Sequence, residues 1–187
     1  MKKFLTAALL AGMCVSNSFA VSLIPRIGID IPTSVDYTKG KNLDEDTKRG
    51  FNLGAEVRGD LSKYFAWGAG LEYNFARGLK NVDDSDFSFL PIFISAMWFP
   101  LGDWQKARPY VKISGGYSLY ASNDLGGDMS GSYYWGAGIG IEYKNIVGEF
   151  FSSQFYASYK DPVTTDMRYM KMGFTLGYKF NLGKQEN

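Results

Sequence analysis

From Met170 to Phe180 the chain reads MKMGFTLGYKF, with a bulky apolar residue at every second position and only Lys171, Gly173, Thr175, Gly177 and Lys179 between them. A period of two is the side-chain period of a β-strand, so one face carries Met170, Met172, Phe174, Leu176, Tyr178 and Phe180 while the other is small or charged. The same pattern recurs along the chain. Val21, Leu23, Pro25, Ile27, Ile29 and Ile31 alternate with Ser22, Ile24, Arg26, Gly28 and Asp30. Phe51 to Val57 alternate with Asn52, Gly54, Glu56 and Arg58, and Phe65 to Phe75 with Ala66, Gly68, Gly70, Glu72 and Asn74. Further on, Val111, Ile113, Tyr117 and Leu119 oppose Lys112, Ser114, Gly116 and Ser118. Tyr133 to Tyr143 oppose Gly136, Gly138, Gly140, Glu142 and Lys144. Two more segments complete a set of eight strands. FSFLPIFISAMWF is apolar on both phases, so its faces stay unassigned, and Pro91 in it suggests a bulge or a gap in the ladder. IVGEFFSSQFYASYK changes phase near Phe150 and Phe151, as a bulged strand does.

What solvent the bulky faces meet decides the fold. A soluble eight-stranded barrel must direct its bulk inward and its charges outward, but here that would force the bulky faces into the narrow interior of eight strands, and the small polar faces placed inside would leave little core. A two-sheet sandwich could bury the bulky faces against each other and is the main alternative. Three observations favour lipid. Aromatic residues gather at strand ends: Trp67, Trp98, Trp104, Tyr110, Tyr143, Tyr178 and Phe180 toward one rim, and Phe75, Phe87, Tyr117, Tyr133, Trp135 and Tyr169 toward the other. The clean alternations run about 9 to 11 residues, the span of a tilted transmembrane strand. Connections also alternate, with polar segments of 16, 8, 10 and 6 residues after strands one, three, five and seven and shorter links such as GDLSKY between them; PLGDWQKAR is long for that rule. The expectation is an all-β chain forming a closed eight-stranded antiparallel transmembrane β-barrel over residues 21–180.

Residues 1–20, MKKFLTAALLAGMCVSNSFA, combine Lys2 and Lys3, an apolar run and a small-residue site ending at Ala20, which reads as a cleaved secretory signal peptide. Cys14 in LLAGMC resembles a lipidation box, but Met13 is bulky where such a box needs a small residue. Cleavage removes the one cysteine, so neither disulfides nor thiol chemistry are expected. It leaves 20 − 2 = 18 basic against 19 acidic residues, which offers nucleic acid no electrostatic footprint. Residues 181–187 form a short C-terminal extension.

The signal peptide, the eight amphipathic strands, the GIGIEY stretch of the sixth strand and the aromatic end of the last strand resemble the OmpA/OmpX-like outer-membrane β-barrel family. The resemblance spans the whole mature chain and rests on pattern. It implies insertion in the outer membrane, contact with outer-membrane lipid and lipopolysaccharide, and loops that meet a surface ligand. It also implies that Tyr178 and Phe180 carry the signal read by the outer-membrane assembly machinery, although NLGKQEN follows Phe180 where family members end. No peptidoglycan-binding domain follows the barrel, so wall anchoring is not implied.

The chain has no histidine, which removes general-base schemes built on it, and no enzyme activity and no cofactor are expected. Arg26, Asp30, Glu56, Arg58, Glu72, Lys112, Glu142, Lys171 and Lys179 occupy the polar phase and are expected to point into the lumen. If the fifth and sixth strands pair with positions summing to 254, Lys112 faces Glu142; if the first two sum to 82, Arg26 faces Glu56. The bland reading is a neutralising ion-pair network, and the sharper one a narrow gated pore. Asp83 to Asp86 and Asp44 to Asp46 are clustered carboxylates, but neither matches a Ca²⁺ loop, and solvated loops with no metal are expected. Arg58-Gly59-Asp60 spells an integrin-binding tripeptide at a short turn, where chance explains it. Three roles remain: a structural or adhesin-like surface protein, a small-solute channel, or a soluble periplasmic protein binding an apolar ligand.

Overall fold

A computed structural model describes residues 21–31, 34–38, 45–46, 48–77, 87–102, 106–123, 128–130, 132–161 and 163–182. Residues 1–20, expected as a signal peptide and containing Cys14, the Asp83–Asp86 cluster, Asp44, Trp104 and residues 183–187 lie outside the described residues.

Twelve β-segments build the wall: β1 (Val21–Ile31), β2 (Ser34–Thr38), β3 (Glu45–Asp46), β4 (Gly50–Asp60), β5 (Phe65–Arg77), β6 (Phe87–Trp98), β7 (Ala107–Asn123), β8 (Asp128–Ser130), β9 (Ser132–Tyr143), β10 (Ile146–Asp161), β11 (Val163–Tyr178) and β12 (Phe180–Asn181). The four short ones prolong long neighbours. Ser34 opposes Asp46 in the register that pairs Asp30 with Gly50, so β2 and β3 carry the first hairpin onward. Likewise β8 leads into β9 along β10, and β12 continues β11 along β1, with Phe180 opposite Leu23. Eight antiparallel strands result, in the order β1, β4, β5, β6, β7, β9, β10, β11, and β11 pairs back onto β1 through Arg26↔Gly177 to Ile31↔Met172. The sheet is a closed barrel. Closure satisfies the edge N–H and C=O groups that hydrocarbon leaves unsolvated.

Bulk points out and charge points in. Ile29, Phe51, Leu71, Ile94, Ile113, Ile139, Phe174 and Leu176 are exposed on the outer surface, Ile94 at 72% and Ile139 at 60%, whereas Arg58, Glu56 and Lys171 are at most 1% exposed inside. Water would make such a molecule unstable, since folding in water is driven by the opposite arrangement. On β9 the outer face runs from Tyr133 to Tyr143. Ten residue steps at ~3.3 Å, tilted by about 40°, give a belt about 25 Å tall, the height of a hydrocarbon layer.

The faces of β6 and β10 are resolved here. Phe89, Phe93, Ser95, Met97 and Phe99 turn inward and Ile92, Ile94, Ala96 and Trp98 outward, so β6 is apolar on both phases because part of the lumen is apolar. Its ladder with β5 skips from Leu71↔Ile92 to Asn74↔Phe89 around Pro91, and the β7 side shifts between Ser88 and Phe89. On β10 the expected phase change does not occur: the pairings run unbroken from Ile146 to Asp161, with Phe151 and Phe155 inward. The second phenylalanine of the pair is lumenal because it shares the phase of Val147, Glu149 and Ser153, and Lys171 lies 4.7 Å from its ring.

Strands are also longer than the alternation implied, reaching 17 residues in β7 and 16 in β10 and β11. The DPVTTD segment, expected as a loop, belongs to a ladder that continues to Asp161↔Val163. Beyond the lipid, water removes the demand for bulk on one face, while backbone pairing carries on.

Candidate functional site

The lumen holds the only dense set of ionisable side chains among the described residues. Its placement follows from the period of two, since every second residue of each strand is forced inward. Near the short-turn end, Asp60, Arg108, Glu142 and Lys179 join: Arg108 lies 3.6 Å from Asp60 and 3.7 Å from Glu142, and Lys179 lies 3.5 Å and 3.4 Å from the same carboxylates. Arg58 pairs closely with Glu142 and reaches Glu56 at 3.8 Å. At mid-height Glu56 also pairs with Arg26, and with Lys112 at 2.9 Å. Glu149 joins this level, with Lys112 at 3.2 Å and Arg26 at 3.4 Å, and accepts a hydrogen bond from Tyr110 Oη at 2.8 Å. Higher still, Lys171 pairs with Asp30 at 3.2 Å and with Glu72, and donates to Asn74, while Asn52 donates to Asp30 at 2.9 Å.

Six cations, Arg26, Arg58, Arg108, Lys112, Lys171 and Lys179, therefore meet six anions, Asp30, Glu56, Asp60, Glu72, Glu142 and Glu149. The sum is zero, which is what a narrow, poorly hydrated interior demands. Aromatic rings close the next level toward the long connections: Phe89 stacks on Phe155 at 5.3 Å and on Tyr169 at 5.7 Å, and Tyr134 lies 5.1 Å from Phe155. At the other end Ile24, Ala66, Met97, Phe99, Tyr110 and Val147 pack together. Between them a lumenal cavity bounded by Arg26, Glu72, Lys112, Tyr134 and Glu149 has a volume of about 20 Å³, room for roughly one water.

All nine residues singled out by alternation face the interior, but their partners differ from expectation. The β7–β9 register sums to 250, placing Arg108 opposite Glu142 and Lys112 opposite Gly138, so Lys112 does not face Glu142. The β1–β4 register sums to 80, placing Glu56 opposite Ile24, and Arg26 reaches Glu56 on the diagonal. A slip by an even number keeps every side chain on its own face, so alternation cannot separate these registers. Across so narrow a barrel, charges also pair with strands that are not neighbours. Glu149, Arg108, Asp60 and Tyr110 were missed. Glu149 was hidden by the supposed phase change, and Arg108 and Asp60 by assignment to turns.

Tyr110 and Tyr169, expected in the outer aromatic girdles, are each 2% exposed and lumenal. They share the phase of Lys112 and Lys171, a signal the sequence already carried. Trp98, Tyr143, Tyr178 and Phe180 at one rim, and Phe75, Tyr117, Tyr133 and Trp135 at the other, do face outward. The Arg58-Gly59-Asp60 tripeptide is not displayed, because Arg58 is buried and Asp60 is tied to Arg108 and Lys179.

Lumenal glycines make room for this filling. A Cβ on Gly140 would collide with Tyr110 Cζ and stand 2.5 Å from its Oη and 2.7 Å from its Cε1, whereas one on Gly148, on the outer face, would meet nothing within 4 Å. Gly140→Ala is therefore expected to displace Tyr110 from Glu149 and cost about 1 to 3 kcal/mol, with Gly148→Ala near neutral. Urea unfolding in phospholipid vesicles measures both, and equal midpoints for the two variants would contradict the packing described.

No protein-family model matches the sequence, and no curated relative does. Among solved structures the chain is similar to the outer membrane protein OprG from Pseudomonas aeruginosa, at 14% identity and a TM-score of 0.55, covering 87% of this chain and 96% of that one. It is also similar to Neisserial surface protein A, at 16% identity and a TM-score of 0.57, covering 85% and 97%. The chain has the fold of the eight-stranded outer-membrane β-barrels, the fold that the resemblance implied.

Proposed function

We propose that this chain is an integral outer-membrane protein with a structural or adhesin-like surface role, in which the barrel is a rigid frame and the long connections meet ligands, host surfaces or lipopolysaccharide. The observation that carries this reading is the inverted polarity of the barrel: an outer belt of Ile, Leu, Phe and Trp around a charge-paired interior. A bilayer satisfies both surfaces, and water satisfies neither. Tyr178 and Phe180, outward at the last rim, are the residues through which the assembly machinery is proposed to recognise the chain. The filled lumen leaves surface contact as the better role than conduction, and the absence of histidine favours a non-enzymatic one.

Deleting residues 31–49 and joining Asp30 to Gly50 through a two-residue turn tests the surface role. Because Asp30 already opposes Gly50, the shortened hairpin keeps its register. Retained folding with lost adhesion to host cells or lipopolysaccharide is the expected result, and unchanged adhesion would move the role away from this connection. The channel alternative makes a different claim, namely reproducible conductance steps from the purified protein in a planar bilayer; their absence is expected.

A further inference from the structure

The three short turns carry an unbalanced charge. Residues 60–64, 99–108 and 144–145 contain Lys63, Lys106, Arg108 and Lys144 against Asp60 and Asp103. Of these, Arg108 and Asp60 are drawn into the lumenal network, and together with Lys179 and Glu142 they neutralise one another there. Lys63, Lys106 and Lys144 are left exposed, with no ion pair among the described residues. The turns are joined, so the three lysines belong to one rim. Arg108 Nη2 donates to the Lys63 carbonyl at 3.4 Å, Lys144 N donates to the Lys106 carbonyl at 3.4 Å, and Lys179 N donates to the Asn145 carbonyl at 2.7 Å.

This rim borders the apolar belt directly. Leu61, Tyr64, Leu101 and Leu182 are exposed beside Phe65, Trp98, Tyr143 and Phe180. The Lys63 ammonium sits 5.0 Å from the Tyr64 ring centroid and that of Lys144 5.6 Å from the Tyr143 ring. A lysine whose stem follows an aromatic ring at the edge of a lipid-facing surface holds its charge at headgroup depth. A phosphate is always present at that depth in a bilayer, whereas a protein or nucleic acid partner would have to displace headgroups to reach it.

We propose that the short-turn rim binds the anionic headgroups of glycerophospholipids, with Lys63, Lys106 and Lys144 on the headgroup phosphates and Tyr64, Leu101 and Tyr143 against the first carbons of the acyl chains. The rim then fixes the depth of the barrel in its membrane and draws negatively charged lipid to the short-turn leaflet. This inference rests on the membrane-spanning reading, and its test separates the two.

The full chain carrying Trp135→Phe keeps Trp67 and Trp98, at the short-turn ends of β5 and β6, and Trp104, which in sequence falls in the connection between β6 and β7. It is placed in phosphatidylcholine vesicles in which either brominated phosphatidylglycerol or brominated phosphatidylcholine quenches the tryptophans, and the ratio of association constants is read. A preference for phosphatidylglycerol of about fivefold at low salt is expected, the attraction that one lysine near an anionic surface supplies. It should fall to near unity in the Lys63→Gln, Lys106→Gln, Lys144→Gln triple variant and, for the parent chain, in 1 M salt, where screening reaches ~3 Å. Equal quenching by the two lipids in the parent chain, or a preference that survives the triple variant, overturns the proposal and leaves the membrane reading standing. Inorganic phosphate that erases the preference more than chloride of equal ionic strength overturns it too, by making the free ion the ligand. Failure of both lipids to quench removes the membrane reading as well.

Discussion

Glu56→Gln is expected to destabilise the folded barrel by about 3 to 5 kcal/mol, the range for removing one partner of a buried ion network. Glu56 is fully buried at mid-height and meets three cations, Arg26, Arg58 and Lys112, at once. The glutamine keeps the shape and the hydrogen bond from Ser95, leaving charge as the variable. Three cations would then share Glu149 and Glu142, and water has about 20 Å³ in which to help. Adding Lys112→Met should recover part of the loss, because it removes one uncompensated charge and leaves apolar volume beside Phe93. Unfolding by urea in phospholipid vesicles gives both numbers. A loss below 1 kcal/mol for the single variant would mean the lumen is well hydrated, and with it the closed-interior account would go.

The second large effect is expected on the outer surface. Ile139 stands near the middle of the outer face between Tyr133 and Tyr143 on β9 and is 60% exposed, so Ile139→Arg puts a cation close to the centre of the belt at a cost of about 2 to 4 kcal/mol. Ile146→Arg, beside the short-turn rim, should cost about 0 to 1 kcal/mol, since the side chain reaches headgroups. The gradient is the diagnostic quantity. A soluble protein tolerates arginine at any exposed site, so equal and small costs at both positions would show that these faces see water.

Much of this architecture is legible in the sequence, because lipid outside and charge inside write the same alternation twice. The six cleanly alternating segments assign their faces correctly from period alone, Phe174 and Ile139 outward, Lys171 and Glu142 inward. Legibility fails where that rule relaxes. Phe89, Phe93, Phe151 and Phe155 are lumenal and apolar, so β6 carries no contrast and β10 mimics a phase change. Register fails for a different reason: slips of two or four residues preserve every face, and the ladder that chooses among them leaves no mark on hydropathy. Strand length fails too, since alternation reports only the part of a strand that lipid touches. Tyr110 and Tyr169 were misread by position along the strand although their phase was plain.

The wall closes between its first and last strands, Leu23 beside Phe180 and Ile31 beside Met172. Like a cask that holds nothing until the final stave is driven home, the cylinder has no stable version made from part of its strands, because every shorter set presents two raw margins to the hydrocarbon. Synthesis delivers the closing piece last. The preceding staves must therefore be kept apart from one another and from other chains until it arrives, and insertion and closure become one event rather than a succession of hairpins entering the bilayer.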